Sequence, residues 1–180
     1  MKTVKSDSAG LAAAAAALNA GQVVVIPTDT VYGLAARPDF PEAVARLYTI
    51  KGRAEGKPIA LLASGAEAAG RYISPEAAEL ASPHWPGALT VVSRGEGVRV
   101  PDHEWTRMLI AGCGGALRVT SANLSGRKEA TDAAAALLDV GLSADIVVDD
   151  GVSPGGVPST VVKVGDDGAV EILREGAVKL

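Results

Sequence analysis

The 180 residues predict an α/β fold built on a mixed sheet, and three features carry that prediction. The run Val23-Val24-Val25-Ile26 is four consecutive β-branched residues without polar alternation, the pattern of a strand buried on both faces. Short apolar strand candidates alternate with amphipathic or alanine-rich helical stretches along the whole chain, an order that packs helices on a sheet. No repeat, low-complexity linker or compositional boundary divides the sequence, so one domain over residues 1–180 is expected.

Ser6, Asp7 and Ser8 offer N-caps for a first helix with Leu11, Ala14, Ala15 and Leu18 on one face, and Gly21 ends it. The strand over 23–26 stops at Pro27, which cannot donate to a ladder. Pro41 suits the first turn of a second helix, with Val44, Leu47 and Tyr48 as its apolar stripe and its end near Lys51-Gly52-Arg53. Residues 59–63 form the next strand candidate. Ser64 and Glu67 have capping-box spacing for a helix, and Ser74-Pro75 opens another that runs towards Ser82.

Trp85-Pro86-Gly87 reads as a loop, and residues 89–93 and 98–100 as strands. Asp102 is expected to cap a helix carrying Trp105, Met108 and Leu109. A strand over 116–120 runs straight into Ser121-Ala122-Asn123. A helix over 131–140, a buried strand over 146–148 and a Gly/Pro-rich loop over 151–158 follow. Ser159-Thr160-Val161-Val162 and residues 170–173 supply the last two strand candidates.

Composition narrows the function. Hydrophobic residues make up 48% of the chain but aromatics only 3%, so the core must rest on Val, Leu, Ile and Ala. The net charge of −4 argues against a nucleic-acid binder that works through overall charge, and leaves a local basic pocket open. Cys113 is the only cysteine, which excludes an internal disulfide and points to a reducing compartment. No run approaches the roughly 18 apolar residues that span a membrane. Residues 11–18 have the length of a signal-peptide core but are nearly all alanine without a cleavage context, so a cytoplasmic location is expected. The sequon Asn123-Leu124-Ser125 has no meaning there.

Four groups of residues could carry chemistry, each with a plainer alternative. Thr28, Asp29 and Thr30, with Tyr32 and Gly33 just beyond, stand at the end of a buried strand, where α/β sheets build small-molecule pockets. They could equally form a self-bonded turn. Lys51, Arg53 and Lys57 could clamp a polyphosphate, or simply decorate a helix C-terminus. The run 52–57 is one residue short of a P-loop, and Pro58 stands where Ser or Thr would hold magnesium, so a P-loop is rejected.

Thr120, Ser121 and Asn123 leave a strand as short polar groups suited to a phosphate or ribose, or to an ordinary turn, with Arg127 and Lys128 close behind. Ser159-Thr160 repeats the motif of hydroxyls at a buried strand's edge. His84 and His103 have no metal-ligand spacing around them, no Gly-x-Ser-x-Gly is present, and Trp85 and Trp105 read as packing residues.

The order of the motifs is more specific than any one of them. Pro27-Thr-Asp-Thr-Val-Tyr-Gly-Leu34, Lys51-Gly-Arg53 with Lys57-Pro58 and Trp85-Pro-Gly-Ala-Leu-Thr90 come first. Val98-Arg-Val-Pro101, Thr120-Ser-Ala-Asn-Leu-Ser-Gly126, Ser159-Thr-Val161 and Leu173-Arg174 follow. The succession resembles the YrdC-like family of threonylcarbamoyl-AMP synthases over about residues 21–176.

The resemblance implies a twisted mixed sheet flanked by helices with a concave, basic pocket. It implies that L-threonine, bicarbonate and ATP give threonylcarbamoyl-AMP and pyrophosphate. A separate tRNA threonylcarbamoyltransferase complex would use the product, with room for weak contact with tRNA itself. By resemblance Lys51 and Arg53 are the catalytic pair, and Lys51, Arg53, Thr120, Ser121, Asn123, Arg127 and Arg174 hold ATP, with magnesium brought on its phosphates. Thr30, Arg99 and Ser159 hold threonine, Arg99 through the carboxylate.

Two departures stand out. Some relatives have a histidine a few residues after the Lys-Pro pair, where this chain has Leu61-Leu62-Ala63, and the segment between Thr90 and Arg99 is short. Two other functions are compatible with the same residues. One is an RNA-binding accessory protein with a steep salt dependence; the other is a module that handles carbamoyl-adenylate.

Overall fold

The computed structural model describes residues 2–54 and 56–180. The first half contains β1 (Lys2–Lys5), α1 (Ser8–Asn19), β2 (Val24–Ile26), β3 (Gly33–Ala36), α2 (Pro41–Lys51), β4 (Leu61–Ala63), α3 (Ala66–Gly70) and α4 (Pro75–Ala81). The second contains β5 (Leu89–Ser93), β6 (Glu96–Arg99), α5 (Glu104–Gly112), β7 (Ala116–Ser121), α6 (Ala133–Asp139), β8 (Ile146–Asp149), β9 (Thr160–Val164) and β10 (Val170–Arg174). The strands form one mixed sheet in the order β1-β8-β2-β3-β7-β4-β6-β5-β9-β10. Parallel pairs (β1 with β8, β8 with β2, β4 with β6, β5 with β9) sit among antiparallel ones.

Alternation along β2 explains its unbroken apolar run. Val25, with Val23 just before the strand, packs towards α2 and α6, where Leu47, Ala133 and Ala136 lie in the same cluster. Val24 and Ile26 point the other way, to Ala14, Ala17 and Leu18 of α1 and Leu109 and Ile110 of α5. Both faces of this strand are covered, so it has no polar side. A third cluster packs Leu89 and Val91 of β5, Val98 of β6 and Val162 of β9 against Ala69, Ala77 and Ala81 of α3 and α4.

Asp7, Ser74 and Asp132 cap α1, α4 and α6, accepting from Gly10 N, Ala77 N and Ala135 N at 2.8, 3.3 and 2.7 Å. Three local expectations are corrected. His103, not Asp102, caps α5, its Nδ1 accepting from Thr106 N at 3.3 Å, while Asp102 lies near Arg107. Gly65 precedes α3 and no side chain caps it, so Ser64 and Glu67 form no capping box. The β6 strand covers Glu96–Arg99 instead of 98–100, because Arg94 and Gly95 turn with φ of 51° and 82° and pair Ser93 with Glu96. Among the described residues no helix is long and apolar enough to cross a membrane.

Candidate functional site

The same alternation makes the cavity. Leu89, Val91 and Val162 face α3 and α4, so Thr90, Val92 and Val161 face the opposite side of β5 and β9. There they line a hollow of about 430 Å³. Its walls come from strand ends and the loops beyond them, with Thr30, Arg53, Arg99, Ser121, Ser159 and Arg174 all lining it. Thr120 lines it as well. Gly33 lines it without a side chain; a Cβ there would lie 2.5 Å from Val119 Cγ1. Of Leu61-Leu62-Ala63, Leu62 alone lines the hollow, so that stretch of wall is apolar.

The Thr28–Thr30 stretch is both turn and pocket. Thr28 Oγ1 accepts from Thr30 N at 3.1 Å and donates to Val31 O at 2.7 Å, which fixes the bend. Thr30 Oγ1 then accepts from Arg99 Nη1 at 2.8 Å. Arg99 also donates from Nε to Gly87 O at 2.8 Å and pairs through Nη2 with Asp29. Burial pulls the Arg99 guanidinium below its ordinary value, and the Asp29 charge opposes that shift. Three of its N–H donors are engaged in this way, and the side chain lines the hollow.

The 151–158 loop seals the back of this turn. Gly155 N and Gly156 N donate to Asp29 O and Thr30 O at 3.0 and 2.9 Å. The approach requires glycine at 155, where a Cβ would sit 2.5 Å from Asp29 O. Tyr32 anchors the loop's start, its hydroxyl donating to Gly151 O at 2.8 Å and accepting from Asp150 N at 3.0 Å. Burial pushes that phenol up to about 12. Tyr32→Phe is expected to lower unfolding stability by about 1–3 kcal/mol, because two backbone groups lose their partner; thermal unfolding of the two proteins checks this.

Helix α2 ends at Gly52, whose φ of 59° turns the chain back into the left-handed region. Arg53 then donates to Lys57 O and Pro58 O at 3.0 and 3.1 Å, which fixes the guanidinium at the cavity edge. Lys51 points elsewhere. It is 3% exposed and does not line the hollow. Its Nζ donates to Ser121 O, Asn123 O and Asn123 Oδ1 at 2.5, 2.7 and 3.2 Å, so it braces the turn that presents Ser121.

Burial, helped by Arg53, lowers the Lys51 ammonium from its ordinary 10.5 to about 8. The unfolded chain therefore binds more protons between those values, and stability should rise as pH climbs through that window. The gain over Lys51→Met should reach about 3 kcal/mol. Urea titrations of both proteins at pH 7 and pH 10 measure it.

Two further sequence-predicted residues stand back from the cavity. Asn123 is buried and donates from Nδ2 to Arg127 O at 2.7 Å. Arg127 pairs with Asp139 at 2.9 Å and lines a second, shallower hollow. At the opposite wall Arg174 donates from Nη2 and Nε to Ser159 O at 2.7 and 3.1 Å, and Ser159 Oγ lies 2.8 Å from Thr90 Oγ1. Burial lowers the Arg174 guanidinium and the Glu129 charge opposes it. Sequence reasoning missed Glu129, Thr90 and Leu62 as lining residues. Thr90 was findable, as the polar residue between Leu89 and Val91 on a strand with period-2 alternation.

Among the described residues three guanidiniums, several hydroxyls and one carboxylate thus converge on a hollow that could neutralise a polyanion and hold a second, smaller polar molecule.

Comparison with known proteins gives the same shape. The Sua5/YciO/YrdC family model, described as telomere recombination, matches residues 16–176. A Bos taurus protein named threonylcarbamoyl-AMP synthase is 35% identical over 92% of this chain and 67% of its own length. The crystal structure of P. abyssi Sua5 complexed with L-threonine superposes with a TM-score of 0.86 at 31% identity, covering 97% of this chain and 56% of that one. E. coli YciO superposes at 0.88 over 99% of this chain and 96% of its own; at 22% identity this speaks for the fold alone. The chain spans between 46% and 67% of the length of the first curated relatives it matches.

Proposed function

The chain belongs to the Sua5/YciO/YrdC family, and from that premise and the site's geometry we propose that it is an L-threonylcarbamoyladenylate synthase. It would act as a nucleotidyltransferase in the cytoplasm, as a single YrdC-like domain over residues 1–180. The observation that carries the reading is the convergence of Thr30, Arg53, Arg99, Ser121, Ser159 and Arg174 on one hollow.

In this reading the threonine amine adds to bicarbonate with loss of water, giving a carbamate. A carbamate oxygen then attacks the α-phosphorus of ATP, and pyrophosphate leaves. No side-chain nucleophile is required; the work is positioning and charge neutralisation. Arg53 sits where it can meet phosphate oxygens, and the hydroxyls of Thr120 and Ser121 offer donors on the same wall. Lys51, Asn123 and Arg127 act one step removed, by holding the turn that carries Ser121. Thr30, Arg99 and Ser159 form the end suited to a small zwitterion, with the threonine carboxylate directed to the Arg99 N–H groups left free.

A divalent cation would enter on the phosphates of ATP and neutralise part of their charge. The product, a mixed anhydride, is suited to transfer onto an adenosine of tRNA by a separate transferase.

ATP–pyrophosphate exchange tests the reading. Exchange should require both threonine and bicarbonate, and mass spectrometry should find threonylcarbamoyl-AMP. Full exchange without threonine, or with carbamoyl phosphate in place of threonine and bicarbonate, would overturn it.

A further inference from the structure

Among the described residues Glu129 is the one carboxylate that lines the cavity. It lies just past the 121–126 turn, on a rim shared with the shallower hollow next to it. Among the described residues it has no ion-pair or hydrogen-bond partner, although Arg53, Arg99 and Arg174 line the same hollow. The other nearby acid, Asp29, is already committed to Arg99. The Glu129 charge opposes the burial-driven lowering of the Arg174 guanidinium across the same hollow.

An unpaired carboxylate conflicts with a hollow meant for a bare triphosphate, because like charges repel in a partly desolvated site. A hard divalent cation removes the conflict. Mg²⁺ is commonly held by one or two carboxylates together with substrate phosphates, keeping several waters. One carboxylate in the lining could supply one such ligand, with the phosphates and water supplying the rest.

Resting on the nucleotide-binding reading above, we propose that Glu129 is the protein's own ligand, direct or through one water, for the divalent cation that accompanies the triphosphate. It thereby makes the cavity select the metal–nucleotide complex over free nucleotide.

The two halves of this proposal have opposite signs in one variant, Glu129→Gln. Removing the charge should tighten metal-free ATP and weaken the advantage that the metal confers. Calorimetric titration with ATP, in excess EDTA and in excess Mg²⁺, reads both. For the parent protein Mg²⁺ should tighten ATP binding by about tenfold or more; for Glu129→Gln the gain should fall to about threefold or less, with tighter binding in EDTA. Electron paramagnetic resonance of Mn²⁺ should show weaker metal retention in the variant's ATP complex, and no retention by either protein without nucleotide.

An equal metal gain in both proteins overturns the proposal. So does a weakened threonine affinity with metal dependence intact, which would assign the carboxylate to the substrate amine. A parent protein that binds no ATP under either condition would instead overturn the nucleotide reading itself.

Discussion

Arg53→Ala is expected to lower ATP–pyrophosphate exchange by about 10²–10³-fold, the loss usual for one preorganised donor to developing negative charge. Arg53 lines the cavity, and two of its donors hold the carbonyls of Lys57 and Pro58, which leaves the rest of the guanidinium aimed from a fixed place. Arg53→Lys should recover little of the rate. A lysine is a compact point charge and cannot bind two carbonyls and a phosphate in one planar fork. Threonine affinity measured without ATP should stay within about twofold of the parent, because Thr30, Arg99 and Ser159 are untouched. Stopped-flow or isotope exchange at saturating threonine gives the number. A rate within about threefold of the parent would remove Arg53 from the chemistry.

Asp29→Ala is expected to have the largest effect on stability, about 3–5 kcal/mol. Side-chain exposures of 12% for Asp29 and 7% for Arg99 leave the pair largely out of water, and removing one partner strands the other. Domains have about 5–15 kcal/mol in total, so such a loss is a third or more of the whole. Arg99→Ala should cost a similar amount and also abolish threonine binding. The double variant should cost clearly less than the sum, since neither charge is then left alone. Urea denaturation of the four proteins completes the cycle; additivity within about 0.5 kcal/mol would mean that the two side chains do not depend on each other.

How much was legible in the sequence depended on whether a residue's surroundings were local. The β2 strand announced itself, because four β-branched residues leave no polar face. The β3 strand did not: Gly-Leu-Ala-Ala has little strand preference of its own and is held by pairing with β2 and β7 on either side. β1 was missed for a related reason, as four residues with two lysines at the sheet edge beside β8.

The candidate site divides the same way. Thr30, Arg53, Arg99, Ser121, Ser159 and Arg174 were named from motif order, and they line one hollow. The direction of Lys51 was not readable, because whether an ammonium enters a cavity or is taken up by carbonyls seventy residues on depends on the packing of α2 against the turn after β7. Glu129 was invisible for the opposite reason, being one acid in a polar loop with nothing in the local pattern to single it out.

The cavity wall draws on the Thr30 turn near the start of the chain, on β5 and β7 in its middle, and on Arg174 in the last strand. No half of the sheet can assemble that wall alone, so occupancy is linked to the cooperative closure of the entire sheet. A ligand at a hundred times its Kd adds about 2.7 kcal/mol to the native state. Amide hydrogens that exchange only through global opening should then slow about a hundredfold wherever they lie, in β8 as much as in β9. In that sense a ligand seated there would be a fastener for the whole molecule, and protection against proteases would report its arrival before any chemistry does.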